Sequence, residues 1–182
     1  MSRRRPDPAR ALAYRVLRAV SAKGAYANLE LSSAMAEASL DARDAAFATE
    51  LVSGTSRLRG TYDRIIAAAS GRPVARFQHD LLDVLRIGAH QVLSMRVAPH
   101  AAVGATVDLA ALQVGERVAG LTNAVLRKVA ARTLDEWVAE LSRTEDALGA
   151  LATRTHHPRW IAAAFVDRLG DDPGRTDELR RA

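Results

Sequence analysis

Apolar positions recur at helical spacing along most of the chain. Asp7 followed by Pro8 places a capping carboxylate before the residue favoured in a first turn. Leu12, Val16 and Val20 then fall four apart, and Gly24 closes the run. Arg10, Tyr14 and Arg18 lie on the opposite face with Arg15 beside them. This predicts a helix that packs with one side and shows guanidinium groups on the other. Asn28 is placed to cap a short second helix running through Leu31 to about Ala38. The next unit has a variant capping box, Asp41 with Asp44 three residues on, and a stripe of Phe47, Leu51, Gly54, Leu58, Tyr62, Ile65 and Ala69. Gly54 sits on that stripe, where a missing side chain would admit another helix. Arg43, Glu50, Arg57 and Arg64 fall seven apart on a separate, solvent-side line. Gly71-Arg72-Pro73 breaks the pattern.

Residues 80–95 are apolar nearly all round, through Leu81, Leu82, Val84, Leu85, Ile87, Ala89, Val92 and Leu93. Asp83, Arg86, His90 and Ser94 form the narrow polar strip. A helix of this kind belongs in the middle of a bundle. Pro99 stops the connection, and Val103, Val107, Ala110 and Val114 define the next helix. After Gly115 another buries Val118, Leu121, Val125 and Val129. Beyond Thr133, Leu134, Trp137, Val138 and Leu141 predict a further helix. Thr155-His156-His157-Pro158 predicts a turn, because the residue before proline is pushed out of the helical region. Arg159 to Leu169 reads as a short helix and Gly170-Asp171-Asp172-Pro173-Gly174 as a loop. No stretch alternates with period two over a useful length, so the predicted class is all-α.

Composition supports that class: alanine fills 37 of the 182 positions and aromatic residues only 4%. The formal charge is +5, and 24 of the 26 basic residues are arginine. It is unevenly spread. Residues 1–76 carry +6, residues 77–132 carry +2 and residues 133–182 carry −3. A positive end is the footprint of a polyanionic partner, although arginine and alanine in excess are also what a GC-rich genome produces.

The chemistry is defined mostly by what is missing. There is no cysteine, which excludes disulfides, cysteine-ligated metals and thiolate nucleophiles. The eleven glycines include no G-x-G pair, so no dinucleotide fingerprint or P-loop is present. His156 and His157 are adjacent, and neighbouring positions seldom converge on one metal. His90 reads as a hydrogen-bonded core histidine, and Asp80 with Asp83 as an exposed helix start favoured by the helix dipole. The basic N-terminus lacks the apolar segment of a signal peptide, and no run approaches the length of a membrane span. A cytoplasmic location and no membrane partner are expected. No catalytic, cofactor-binding or metal-ligating set is found.

Four blocks carry a specific resemblance. They are residues 42–55 (ARDAAFATELVSGT), residues 85–93 (LRIGAHQVL), residues 97–103 (VAPHAAV) leading to 121–128 (LTNAVLRK), and Thr155-His156-His157-Pro158-Arg159-Trp160-Ile161. In order and spacing they resemble the NusB-like helical domain at the N-terminus of bacterial 16S rRNA cytosine-5 methyltransferases, the RsmB or Fmu/Sun group. The fourth resembles the His-Pro-x-Trp segment that in this family follows the NusB-like domain and leads to the catalytic domain. The resemblance implies a NusB-like bundle over residues 1–133 and a short helical linker over 134–182 leading toward a methyltransferase domain. That domain would bind S-adenosylmethionine and supply the catalytic cysteines. Neither a cysteine nor a glycine-rich cofactor loop is in this chain, which would therefore be an inactive N-terminal fragment, holding no cofactor itself.

The resemblance further implies that an arginine-rich N-terminus and first helix contact ribosomal RNA, here Arg3, Arg4, Arg5, Arg10 and Arg15. Arg18, Arg57, Arg59 and Arg64 would extend that surface if the third helix lies beside the first, and Tyr14 and Tyr62 are candidates to stack on bases. The alternatives are an antitermination factor of the NusB type and a protein-interaction module that pairs with a small ribosomal protein, with itself or with the missing methyltransferase domain.

Overall fold

Asp7 accepts a hydrogen bond from the Arg10 backbone amide at 2.9 Å, Pro8 occupies the first turn, and Gly24 ends the helix at φ 65°. These local signals set α1, Pro8–Lys23, at the limits its sequence predicts. The structure, a computed structural model, describes residues 7–169, and every regular element among them is helical. After α1 come α2 (Ala27–Glu37), α3 (Ala42–Arg57), α4 (Arg59–Ser70), α5 (His79–Leu93), α6 (Pro99–Gln113) and α7 (Ala119–Val129). Then follow α8 (Leu134–Ser142), α9 (Ala147–Arg154) and α10 (Arg159–Leu169), with single 3₁₀ turns at Val74–Arg76 and Glu116–Val118. The arginines at 3, 4 and 5 and the loop expected at 170–174 lie outside the described residues.

α5 is the axis of the bundle. Every residue from Leu81 to Gln91 is buried, and α1, α3, α4, α6 and α7 all pack on it. Val84, Leu85 and Ile87 are each 0% exposed, and burying side chains of this size stabilises the fold by about 1.5–3 kcal/mol apiece. Two glycines set the approach distances. A Cβ on Gly54 of α3 would overlap the His90 ring, and one on Gly88 of α5 would meet Leu126 and Thr106. The close approach predicted at Gly54 is therefore a contact with α5.

The structure departs from the sequence expectations in several places. The stripe from Asp41 to Ala69 belongs to two helices, because Leu58 leaves the helical region at φ −99°, ψ 15°. Tyr14 is not on an outer face: α1 is flanked by α2, α3 and α5, and the ring is buried. Asn28 caps nothing, since α2 begins one residue before it, after Tyr26 and without a side-chain cap. Asp83 is no exposed helix start; it is 1% exposed and turned inward. Arg64 is half-buried against α9 rather than on an open solvent line. α9 had no counterpart in the sequence reading.

The segment expected to act as a linker rests on the bundle. Thr133 and Glu136 form a reciprocal capping box at the start of α8. Trp137 is buried, its indole N–H donates to the Val129 carbonyl at 2.9 Å, and the Arg132 guanidinium lies 4.9 Å over its ring. Arg64 of α4 pairs with Glu145 at 2.9 Å and donates to the Thr153 hydroxyl, while Thr61 is hydrogen-bonded to His156 Nδ1 at 3.1 Å. The expected turn at Thr155–Pro158 is present, with His156 at φ 61°.

Candidate nucleic-acid interface

The arginines of α1 have different fates. Arg18 reaches the start of α5, where it pairs with Asp80 at 2.6 Å and Asp83 at 2.9 Å. Asp83 also accepts from Ser21 at 3.0 Å and from Arg86 at 2.7 Å, and Arg86 closes a two-point bridge to Asp63 at 2.7 and 2.8 Å. Burial opposes the charge on Arg86, yet its bonds to Asp63 and Asp83 outweigh it and hold the guanidinium more firmly protonated than usual. This is a paired and hydrogen-bonded buried network, the form in which internal charge is tolerated. Arg10 is also engaged, through Gln91 at 2.7 Å, Asp7 at 2.7 Å and the face of Phe47 at 4.8 Å. Arg15 alone of the three is exposed without an ion pair or hydrogen bond among the described residues. Glu30 and Glu37 stand in the same α1–α2 groove.

A second group converges elsewhere. Arg57 ends α3, Arg59 begins α4, and with Arg64 they line a cleft of about 530 Å³ whose far wall is the α9–α10 turn. Arg57 and Arg59 are exposed, and neither has an ion pair or hydrogen bond among the described residues. Arg64 faces Glu145. Arg159, which the sequence marked as the start of a helix and not as a binding residue, joins the cleft and forms two 2.6 Å bonds to Asp146. Arg159, with the Gly149 amide that Asp146 caps, holds the Asp146 carboxyl down to about 2. The structure thus gathers Arg57, Arg59 and Arg64 at one cleft, and Arg59 also borders the chamber lined by Asp83 and Arg86.

Tyr14 and Tyr62 offer no stacking surface. Tyr62 is 0% exposed, its hydroxyl bonded to His90 Nδ1 at 2.8 Å and to Ser94 at 2.7 Å, and burial pushes its pKa up. Tyr14 is buried beside the Arg18 network. The exposed aromatics are Tyr26 and Trp160, neither of which the sequence reading singled out for stacking. Among the described residues no three His, Cys, Asp or Glu side chains are grouped to hold a metal, and no helix is long and apolar enough to cross a membrane. What the cleft offers chemically is a set of guanidinium and hydroxyl donors for an anion.

Comparison with known proteins agrees with this architecture. The model of the NusB family matches residues 7–131. Over 180 residues the chain is 48% identical to a Mycobacterium tuberculosis protein named "Putative methyltransferase", covering 97% of this chain and 39% of that one. It is 32% identical over 156 residues to ribosomal RNA small subunit methyltransferase B of Pseudomonas putida, covering 86% of this chain and 34% of the relative. A similar match, 30% over 156 residues, is to the protein of that name in Vibrio cholerae, covering 80% and 33%. The chain spans between a third and two fifths of the length of these curated relatives.

Proposed function

The chain belongs to the NusB family, and from that premise we propose that it is the RNA-gripping N-terminal part of a ribosomal RNA cytosine-5 methyltransferase. The relatives named small subunit methyltransferase B support this reading, as does the match running past the bundle to cover 86% of the chain in one of them. The observation that carries RNA binding is the pair of exposed arginines, Arg57 and Arg59, which form no ion pair among the described residues. Arg15, exposed on α1, supplies a further guanidinium, and the sequence adds arginines at 3, 4 and 5. Each guanidinium presents a planar fork that can hold two phosphate oxygens. Neutralising phosphates releases counterions and orients the RNA, which is work a bundle can do without catalytic groups.

The parent reaction would draw its methyl group from S-adenosylmethionine. The described residues do not fit that group: none forms the strand–turn–helix cradle such a nucleotide needs, and the chain has no cysteine to attack a cytosine. No catalytic step is assigned to these residues.

The test is binding of the chain to a labelled fragment of small-subunit rRNA across a salt series. Log affinity should fall with log salt by about 0.7 for each phosphate contacted on a single strand, and Arg15→Glu should weaken binding and flatten that slope. No binding, or binding indifferent to salt, refutes the proposal. A second reading, a protein-interaction module, is favoured by Tyr26 and Leu29 at the start of α2, 75% and 63% exposed. Self-association that Leu29→Asp abolishes would support it.

A further inference from the structure

Two observations meet at the α3–α4 junction. The first is the cleft, whose lining sets four guanidinium groups, those of Arg57, Arg59, Arg64 and Arg159, against the single carboxylate of Glu145. The second is an unmet hydrogen-bonding demand beside it. The hydroxyl oxygens of Thr55 and Ser56 are buried without any partner, and Thr55 is 2% exposed. Both line a chamber of about 90 Å³ that is also walled by Asp83 and Arg86 and adjoins the cleft through Ser56 and Arg59. Buried polar atoms are nearly always satisfied, so this pair marks room for an ordered water or a ligand group at the inner edge of the cleft.

We infer that this cleft is a composite seat for the phosphate backbone of single-stranded RNA, built jointly by the bundle and by the segment after it. The inference rests on the RNA-binding reading above and extends it to residues beyond the matched family region. One wall is Ser56, Arg57 and Arg59; the other is the α9–α10 turn with Arg159. Arg57 and Arg59 bind phosphate oxygens directly. Arg64 and Arg159 are held in reserve by Glu145 and Asp146. A phosphate entering between them competes with those carboxylates for the guanidinium groups. The two walls are about a hundred residues apart in sequence, and the contacts of Arg64 and Thr61 with Thr153, Glu145 and His156 hold them together. RNA affinity therefore depends on a segment that sequence alone presents as a connection.

The experiment titrates the full chain against a labelled oligouridylate by fluorescence anisotropy across a salt series, with thermal melts confirming that each variant is folded. Arg57→Gln with Arg59→Gln should weaken binding about tenfold and reduce the salt slope by about 1.4, and Arg159→Gln should reduce it by about 0.7. Asp146→Asn makes the opposite prediction. Asparagine caps a helix as well as aspartate does, so α9 survives while Arg159 loses its counter-charge, and binding should tighten with a steeper slope. A purely structural role for Asp146 gives no gain of affinity. If the parent binds and Arg15→Glu weakens it while the cleft variants match the parent, the composite seat is overturned and the RNA-binding reading stands. If the parent does not bind RNA at all, both fall.

Discussion

Replacing a helical glycine with alanine changes two things, and the structure separates them. Gly54 of α3 and Gly104 of α6 both lie inside helices, so each substitution brings the same intrinsic gain, about 1 kcal/mol. At Gly104 a new Cβ meets nothing within 4 Å, and the gain should appear undiminished as a rise in Tm of about 2–4 °C. At Gly54 the Cβ falls on the His90 ring. That ring cannot simply rotate away, because His90 is 1% exposed and its Nδ1 is bonded to the Tyr62 hydroxyl. Overpacking of this kind costs about 1–3 kcal/mol. Breaking the buried bond to Tyr62 leaves polar atoms unsatisfied, at a further cost of about 1–3 kcal/mol. Set against the propensity gain, Gly54→Ala should lose about 1–5 kcal/mol of stability. Guanidinium denaturation followed by far-UV circular dichroism measures both variants on one scale. If Gly54→Ala proves as stable as the parent, the α3–α5 contact is not the close packing described here.

Arg86→Met removes the centre of the buried ion network and leaves Asp63 and Asp83 short of a partner. A loss of about 3–5 kcal/mol is expected in the same denaturation assay, and a loss under about 1 kcal/mol would contradict the network's buried character. Thr133→Ala removes one half of the α8 capping box and should lower stability by about 1 kcal/mol; an unchanged Tm would refute the cap. His90 carries a pH dependence. Burial lowers its pKa, while Glu50, 3.3 Å from Nε2, raises it more weakly, Arg57 lowers it, and Tyr62 and Ser94 complete the surroundings. The folded protein then binds fewer protons than the unfolded chain below about pH 6.5. Its contribution to stability is complete above that pH and is lost as the pH falls through the lowered value. Stability measured from about pH 7.5 down to about pH 5.5 should decline in the parent and much less in His90→Gln. A flat profile in the parent would contradict the burial.

The central helix was legible because eight apolar residues in a span of thirteen leave no solvent face. The limits of α1 followed from Asp7, Pro8 and Gly24, and the close contact at Gly54 from a glycine on an apolar stripe. The fate of the polar strip on α5 was not legible. Asp83 and Arg86 look solvent-facing until Arg18 and Asp63 are known to reach them, and those partners lie 65 and 23 residues away. Tyr14 was misjudged for the same reason, since α1 is covered on more sides than its own periodicity reveals. α9 spans eight residues, too short for a stripe to register. At the candidate site, Arg57, Arg59 and Arg64 were visible as charges, but no one-dimensional pattern distinguishes a free guanidinium from one already spoken for. Arg159 was overlooked as a binding residue because the opposite wall of its cleft comes from α3 and α4.

The turn at Leu58 has a consequence for how such a site can change. Residues two apart on one continuous helix point about 200° from each other, yet Arg57 and Arg59, on either side of this turn, line the same cleft. Leu58 thus acts as a phase adjuster between two helical rods. Inserting one residue there would demand a rotation of α4 by about 100°, which the fully buried Tyr62, Ile65 and Ile66 forbid, so the length of this turn is set by the core and the position of Arg59 on the wall follows from it.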